Sequence, residues 1–384
     1  RRNYYLIIFL INKDNIMDKL IYMDNAATTS TAPEVVSAML PFFTEYYGNP
    51  SSVYNFAQKS KMAIEDAREI IADSIGAAKS NEIYFTGGGS ESDNWALKSA
   101  AFGLRNKGNH IITTKIEHHA ILNTCAYLEK NGFEITYLDV DSEGFVSLED
   151  VENAITEKTI LISVMFANNE IGTIEPVCEI GEIAHKHGIL FHTDAVQAMC
   201  HVPINVTEMN IDLLSASAHK FHGPKGVGFM YMKNSAKLEP FIHGGAQERA
   251  RRAGTSNVPG IVGMGQAVKL ALSTLDKDTH TIINMRNYIV DRILGEIPDV
   301  TFDGPCIDAN AVSAGSPAGS LKRLPSNMHF CFKDVSGDSL LIMLDMNGIC
   351  ASSGSACAAG SIDPSHVLLA IGRSKGETKG ALRL

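Results

Sequence analysis

A lysine in a stiff loop is the first residue of this chain that could do chemistry. It lies in Ser215-Ala216-Ser217-Ala218-His219-Lys220-Phe221-His222-Gly223-Pro224-Lys225-Gly226, just after an apolar run and hemmed in by glycine and proline. Desolvation in such a setting lowers an amine pKa and makes it a nucleophile able to form a Schiff base, whereas a solvated surface lysine is the plainer reading. Ser217 and His219 beside it are suited to holding a phosphate. Upstream, Ile189-Leu190-Phe191-His192-Thr193-Asp194-Ala195-Val196-Gln197 reads as a buried strand with a carboxylate at its end. A buried acid needs a partner. A protonated pyridine nitrogen, a helix N-terminus capped by the acid, or a salt bridge would each supply one.

Three further clusters have the same placement after an apolar run. Gly87-Gly88-Gly89-Ser90-Glu91-Ser92 reads as a glycine turn opening a helix with a hydroxyl at its N-cap, where free N–H groups and the helix dipole favour a phosphate. It does not spell G-x-G-x-x-G, which counts against a dinucleotide. Glu117-His118-His119 offers an imidazole for ring stacking or proton transfer, and chemistry alone does not choose between His118 and His119. Asn168-Asn169-Glu170-Ile171-Gly172 supplies amides. Near the other end, Ser352-Ser353-Gly354-Ser355-Ala356-Cys357-Ala358-Ala359-Gly360 sets a thiol among small, polar neighbours that leave it accessible.

Elements able to position these groups alternate along the chain. Short apolar runs at Ile83-Thr86, His110-Thr114, Glu134-Leu138, Thr159-Phe166, Ile189-Thr193, Leu213-Ala216 and Val227-Tyr231 are separated by amphipathic segments. That pattern predicts α/β units around a mostly parallel seven-stranded sheet, in which ligands bind beyond the carboxyl ends of the strands. The polar stretch Gly304 to Ser320 reads as a surface loop before the run Met328-Phe332. Beyond it, Ser339-Leu344, a loop over Ala351-Gly360 and a helix-like Ser365-Ile371 suggest a smaller α/β unit.

The chain has 384 residues, enough for two or three domains at roughly 150 residues each. Its 45% hydrophobic and 20% charged content fits an ordinary globular enzyme. The net charge of -10 gives nucleic-acid binding little electrostatic support. Seven scattered cysteines without a C-x-x-C pair argue against disulfides or structural zinc and place the chain in the cytosol, six of them as buried small hydrophobes. The apolar run Tyr4 to Ile11 is too short to span a bilayer, and no other stretch reads as transmembrane. Residues 1–16 read as an upstream extension or disordered segment, with Met17 as the natural start.

Taken together these clusters resemble the NifS/IscS-type cysteine desulfurases of the class V aminotransferase group. Tyr22-Met23-Asp24-Asn25-Ala26-Ala27-Thr28-Thr29, Gly48-Asn49-Pro50-Ser51-Ser52, Ser90-Glu91-Ser92-Asp93-Asn94, Asn168-Asn169-Glu170-Ile171-Gly172, His219-Lys220 and Ser352-Ser353-Gly354-Ser355-Ala356-Cys357 occur in that family's order. The resemblance implies the aspartate-aminotransferase-like fold type I. Its segments would be 17–31 packing with the small domain, a large cofactor domain over 32–270 and a small C-terminal domain over 271–384. It implies pyridoxal 5'-phosphate as cofactor, with Lys220 as Schiff-base lysine and base, Asp194 on the pyridine nitrogen, His118 over the ring and shuttling protons, and Gln197 near the phenolic oxygen. Asn169 would touch substrate and cofactor. Gly89, Ser90, Ser217 and His219 would hold the phosphate, with Thr255 reaching in from the other subunit of a homodimer. Arg383 would clamp the carboxylate of L-cysteine, and Cys357 would accept its sulfur as a persulfide, leaving L-alanine.

The acceptor implied next is a NifU/IscU-like iron–sulfur scaffold. No resident metal, nucleic acid or membrane is implied, Cys357 meeting a cluster only transiently. Other class V enzymes, such as a selenocysteine lyase or an aminotransferase, are the nearest alternatives, and Cys357 in its serine-rich loop argues against them. A sulfur-carrying scaffold without turnover is the alternative from another class. Three departures stand out: the chain stops one residue after Arg383, where the family continues; Pro305 to Ser320 is a long surface insertion; and Ser90 stands where threonine is frequent.

Overall fold

The computed structural model describes residues 20–236, 238–306, 321–354 and 364–384. Its strands are β1 (Ile21–Tyr22), β2 (Ile83–Thr86), β3 (His110–Thr114), β4 (Glu134–Leu138), β5 (Thr159–Ser163), β6 (Leu190–Asp194), β7 (Leu213–Ser217), β8 (Gly228–Met232), β9 (Val300–Phe302), β10 (His329–Phe332), β11 (Ile349–Cys350) and β12 (Ala381–Arg383). Seven of them form one sheet in the order β2-β8-β7-β6-β5-β3-β4, all parallel except β8, which runs against both neighbours.

Both faces of this sheet are covered, so its inner strands are apolar throughout rather than alternating. Successive side chains still point to opposite faces. Ile111, Leu161 and Leu213 enter a core with Trp95 and Leu128, while Ile112, Ile162 and Leu214 enter another with Ile71 and Phe221. Each such side chain stabilises the fold by about 2 kcal/mol.

Several strand ends differ from the sequence expectation. β5 leaves its ladder at Ser163 rather than Phe166, although Val164 and Phe166 still donate N–H bonds to His192 and Asp194 of β6 at 3.1 and 2.9 Å. β6 runs one residue further and so includes Asp194, β7 includes Ser217, and β8 starts at Gly228. A Cβ on Gly228 would lie 2.4 Å from the Ala216 carbonyl oxygen and 2.8 Å from Gly88 Cα, so only glycine lets the β2 turn press on this edge.

Ser339-Leu344 lies in a helix, Gly337–Asp345, whose start is capped by Ser336. The helix-like Ser365-Ile371 is the helix His366–Ala370, capped by Ser365. A separate antiparallel sheet, β12-β10-β9, packs Phe330, Phe332 and Leu382 into a third core with Val290 and Ile293, and β1 pairs in parallel with β11. The helix Val258–Glu296 joins the two cores, and the expected boundary at 270/271 falls inside it. Among the described residues this helix alone is long and apolar enough to cross a membrane. Ile261, Met264 and Val268 instead lie in the first core, and Gly265 abuts Ala67 of the Asn55–Ser74 helix.

The cysteine expectation needs correction. Cys125, Cys200 and Cys331 are buried, and burial pushes their thiols up; Cys178 and Cys350 are half-buried and Cys306 is exposed. Cys306 stands just beyond β9 where the chain leaves the sheet. Residues 1–19, most of the 304–320 stretch and Cys357 lie outside the described residues.

Candidate functional site

Beyond the carboxyl ends of the parallel strands lies a cavity of about 180 Å³. Its walls bring together Gly89, Ser90, His118, Asn169, Asp194, Gln197, Ser217, His219, Lys220 and Arg383, with Ala26, Ala27, Asp93 and Met165 among the rest. Thr255 is exposed and does not line this cavity.

The glycine turn does its work through backbone rather than a serine cap. Gly88 is the N-cap of the helix Gly89–Gly103, in a backbone conformation (φ 150°) that other residues rarely adopt, and no side chain caps the helix. Ser90 sits inside the first turn. A Cβ on Gly89 would meet Val196 Cγ2 at 2.6 Å, so the turn is moulded to its neighbour. The first-turn N–H groups, with the Ser90 and Ser217 hydroxyls, make a cradle for an anion. His219 adds its ring, whose Nδ1 lies 3.1 Å from Thr28 Oγ1. Burial, with help from Lys220 and Lys225, pushes its pKa down to about 4, leaving the imidazole neutral.

β7 hands on to a tight 3₁₀ turn, Ala218–Lys220, that aims the lysine back over the sheet. Lys220 Nζ donates to the carbonyls of Ala26 and Ala27 at 2.5 and 2.9 Å. Gln197 Nε2 donates to the same Ala26 carbonyl at 2.9 Å. Asp194, the last residue of β6, accepts the Val196 N–H on Oδ1 at 2.9 Å. Burial raises its pKa, while His118 and Lys220 act against that rise. Beneath it, His192 is wedged between Ser163 and Ser215 at 2.9 and 3.0 Å, and burial pushes its pKa down to about 3.

The choice between the two histidines falls to the backbone. His118 caps the helix His119–Glu129 by accepting the Ala120 N–H on Nδ1 at 3.1 Å, so the neutral ring carries its proton on Nε2. Burial lowers its pKa, Asp194 opposing. His119 instead turns away to His366, with ring centroids 4.7 Å apart.

Arg383 ends β12 and is almost wholly buried. It donates from Nη1 to the Asn169 carbonyl at 3.0 Å and from Nη2 to Asp24 Oδ1 at 2.8 Å. Asn168 shapes this corner, accepting the Glu170 and Ile171 N–H groups on its side-chain oxygen.

Two acids escaped the sequence reading. Asp93 is fully buried in the cavity wall with Oδ1 unpartnered, and burial followed by the charge of Asp194 raises its pKa well above the carboxylate range. Asp24 grips Arg383. A polar pair, Ser92-Asp93, within a helix otherwise rich in buried apolar residues was the available signal for the first; the motif Tyr22-Met23-Asp24-Asn25 held the second without indicating its partner.

The aminotransferase class-V family profile matches residues 21–383. A cysteine desulfurase IscS of Clostridium botulinum (strain Hall) is 56% identical over 368 residues, spanning 96% of this chain and 89% of its own. One from Methanosarcina thermophila is 53% identical, spanning 96% and 87%. Among solved structures, a NifS-like protein superposes with a TM-score of 0.86 at 36% identity, covering 95% of this chain and 93% of the other. SspA in complex with cysteine gives 0.79 at 38% identity, covering 94% and 97%.

Proposed function

This chain belongs to the class-V aminotransferases and, among them, to the cysteine desulfurases, and from that premise we propose how its own residues convert L-cysteine to L-alanine and pass on the sulfur. The observation that carries the reading is the convergence of Lys220, Asp194, His118 and Arg383 on one cavity.

The cavity fits pyridoxal phosphate. An N–H-rich cradle at Gly89 and Ser90, with no room for a Cβ at Gly89, suits the phosphate, and the buried Asp194 suits a protonated ring nitrogen. When bound, this cofactor supplies a covalent attachment for an amine and an electron sink for the adjoining carbon. Ser90, Ser217 and His219 would hold its phosphate, with Gln197 near the phenolic oxygen. Lys220 would hold the cofactor covalently, and its amine would serve as the base for the α-proton. His118, neutral with Nε2–H, is placed to move a proton at the substrate. Arg383 holds the substrate carboxylate through its planar donors, and Asn169 contacts substrate and cofactor. Cys357 as thiolate would attack the substrate sulfur, so that an S–S bond forms as the C–S bond breaks, the bonding pair staying with the carbon fragment, which takes up a proton to leave as alanine.

Residues 32–270 serve as the cofactor domain and 271–384 as the smaller one. A homodimer is supported by the exposed apolar residues Phe43, Tyr47, Val53 and Tyr54, Val53 being 95% exposed. Thr255, exposed on its own chain, would complete the partner's phosphate site. The persulfide goes to an iron–sulfur scaffold in the cytosol.

Incubating the purified chain with pyridoxal phosphate, L-cysteine and a thiol reductant should give alanine and sulfide in equal amounts, both lost in Cys357→Ala. A cofactor-loaded protein that makes neither product overturns the activity, and a chain that binds no cofactor overturns the assignment of the cavity.

A further inference from the structure

Arg383 is held from every side except one. Its main chain pairs with His329 of β10 and, across the other edge, with Ser352 through bonds of 2.6 and 3.2 Å. Asp24 reaches it because β1 lies parallel to β11: Ile21 pairs with Ile349, and the Met23 N–H donates to the Cys350 carbonyl at 2.9 Å, which brings the next residue beside the guanidinium. Nη2 then donates to Asp24 Oδ1 and Nη1 to the Asn169 carbonyl. Nε is buried without a partner. A guanidinium has five N–H donors in a rigid plane, so fixing both terminal nitrogens fixes the plane and leaves the Nε–H and the second N–H of each terminal nitrogen as spare donors.

We propose that Asp24 is a positioning residue for substrate: it locks the Arg383 guanidinium in a fixed orientation at the cavity wall, where its spare N–H donors serve the α-carboxylate of cysteine. This rests on the reading of Arg383 as the carboxylate clamp. Asp24 also supplies a counter-charge to a guanidinium that is only 1% exposed, so the clamp waits in place without being bent towards another anion. The β1–β11 pairing thus sets substrate orientation, although neither strand lines the cavity.

Steady-state kinetics of the cofactor-loaded dimer with L-cysteine, and calorimetric binding of 3-mercaptopropionate and cysteamine, test this. 3-Mercaptopropionate has the carboxylate without the amine, and cysteamine the amine without the carboxylate. Losing a charge-assisted hydrogen bond that orders the clamp should raise KM for L-cysteine in Asp24→Ala by roughly tenfold or more, with kcat changed by about twofold at most. 3-Mercaptopropionate should weaken in parallel and cysteamine should bind as before. Asp24→Asn keeps an acceptor oxygen and should return KM to within about threefold of the parent. If Asp24→Ala leaves KM unchanged while Arg383→Ala raises it, Asp24 has no positioning role and the clamp stands. If Arg383→Ala also leaves KM unchanged, the clamp itself is wrong. Weakened cysteamine binding, or equal loss in kcat and KM, would mark a merely structural role and overturn the proposal. Should Asp24→Ala not fold, Asp24→Glu displaces the carboxylate by one methylene and carries the same test: a raised KM with cysteamine unaffected is expected, and an unchanged KM overturns it.

Discussion

The two sheets that flank the cavity, and the walls they support, treat charge in opposite ways. On the side of the seven-stranded sheet, acids and histidines are buried among apolar strands with part of their hydrogen bonding unfilled: Asp93 Oδ1 and Glu117 Oε2 have no partner, and burial favours the neutral forms of Asp93, Glu117, His118 and His192. On the side of the three-stranded sheet the charged groups have ion-pair partners within the protein, although Arg383 Nε and His329 Nε2 lack a hydrogen-bond partner. Asp303 accepts from His329 Nδ1 at 2.9 Å and Arg373 Nε at 2.6 Å, and Arg383 is paired with Asp24. Although burial alone would raise it, these partners hold the Asp303 carboxyl below the usual carboxylate range. The first wall is built to receive charge from a ligand, and the second to hold a single cation still.

The difference can be broken most severely at Asp303. Asp303→Asn removes the carboxylate that His329 and Arg373 share, and breaking a buried pair by deleting one partner costs about 3 kcal/mol. Urea unfolding at pH 7 should show that loss; a change below about 1 kcal/mol would mean that the second wall does not depend on its ion pairs.

Between pH 7 and 5 a smaller effect, about 2 kcal/mol, separates the walls by pH. The His192 pKa is pushed down to about 3, against about 6.5 in an unfolded chain. The unfolded chain therefore takes up a proton that the native state refuses, so stability is full above pH 6.5 and falls by roughly 1.4 kcal/mol per pH unit as pH drops from there towards 3. The Asp303 contribution, with its depressed pKa, is lost only below the ordinary carboxylate range. Unfolding free energies between pH 7 and 5 should therefore fall less steeply in His192→Gln, and an unchanged slope would place the acid sensitivity elsewhere.

The smallest change is expected at Asp93. A carboxyl whose folded pKa is raised stabilises only below its unfolded value, and that stability is lost as pH rises through the folded one. Replacing the neutral acid with a neutral amide in Asp93→Asn should leave the unfolding free energy at pH 7 unchanged or higher by about 1 kcal/mol. A loss comparable to Asp303→Asn would show that Asp93 is ionised and that the walls are alike.

Legibility in the sequence followed the same division. The strands of the large sheet were readable because burial on both faces demands continuous apolar runs, and Asp194, Ser217 and Lys220 were readable as candidates because several polar groups recur at the ends of such runs, although each alone reads equally as a cap, a salt bridge or a solvated side chain. Where the expectation slipped, neighbours decided: Gly88 took the cap position that a hydroxyl-capped turn would give to serine, and β5 left its ladder early while still bonded to β6. The second wall was hardly readable, since β1, β9, β11 and β12 span two or three residues each and have too little periodicity to announce themselves.

The sequence by itself determined the class of fold and the family, because the order of motifs along the chain and the apolar rhythm between them are one-dimensional properties. Only the tertiary structure decided how the helix cap turns His118 into the cavity and His119 away from it, that Asp24 meets Arg383 across most of the chain, and that Asp93 stands beside Asp194. These depend on which way a helix cap turns a ring and on which strands pair, and the free energy of such contacts resides in neighbours far apart in sequence.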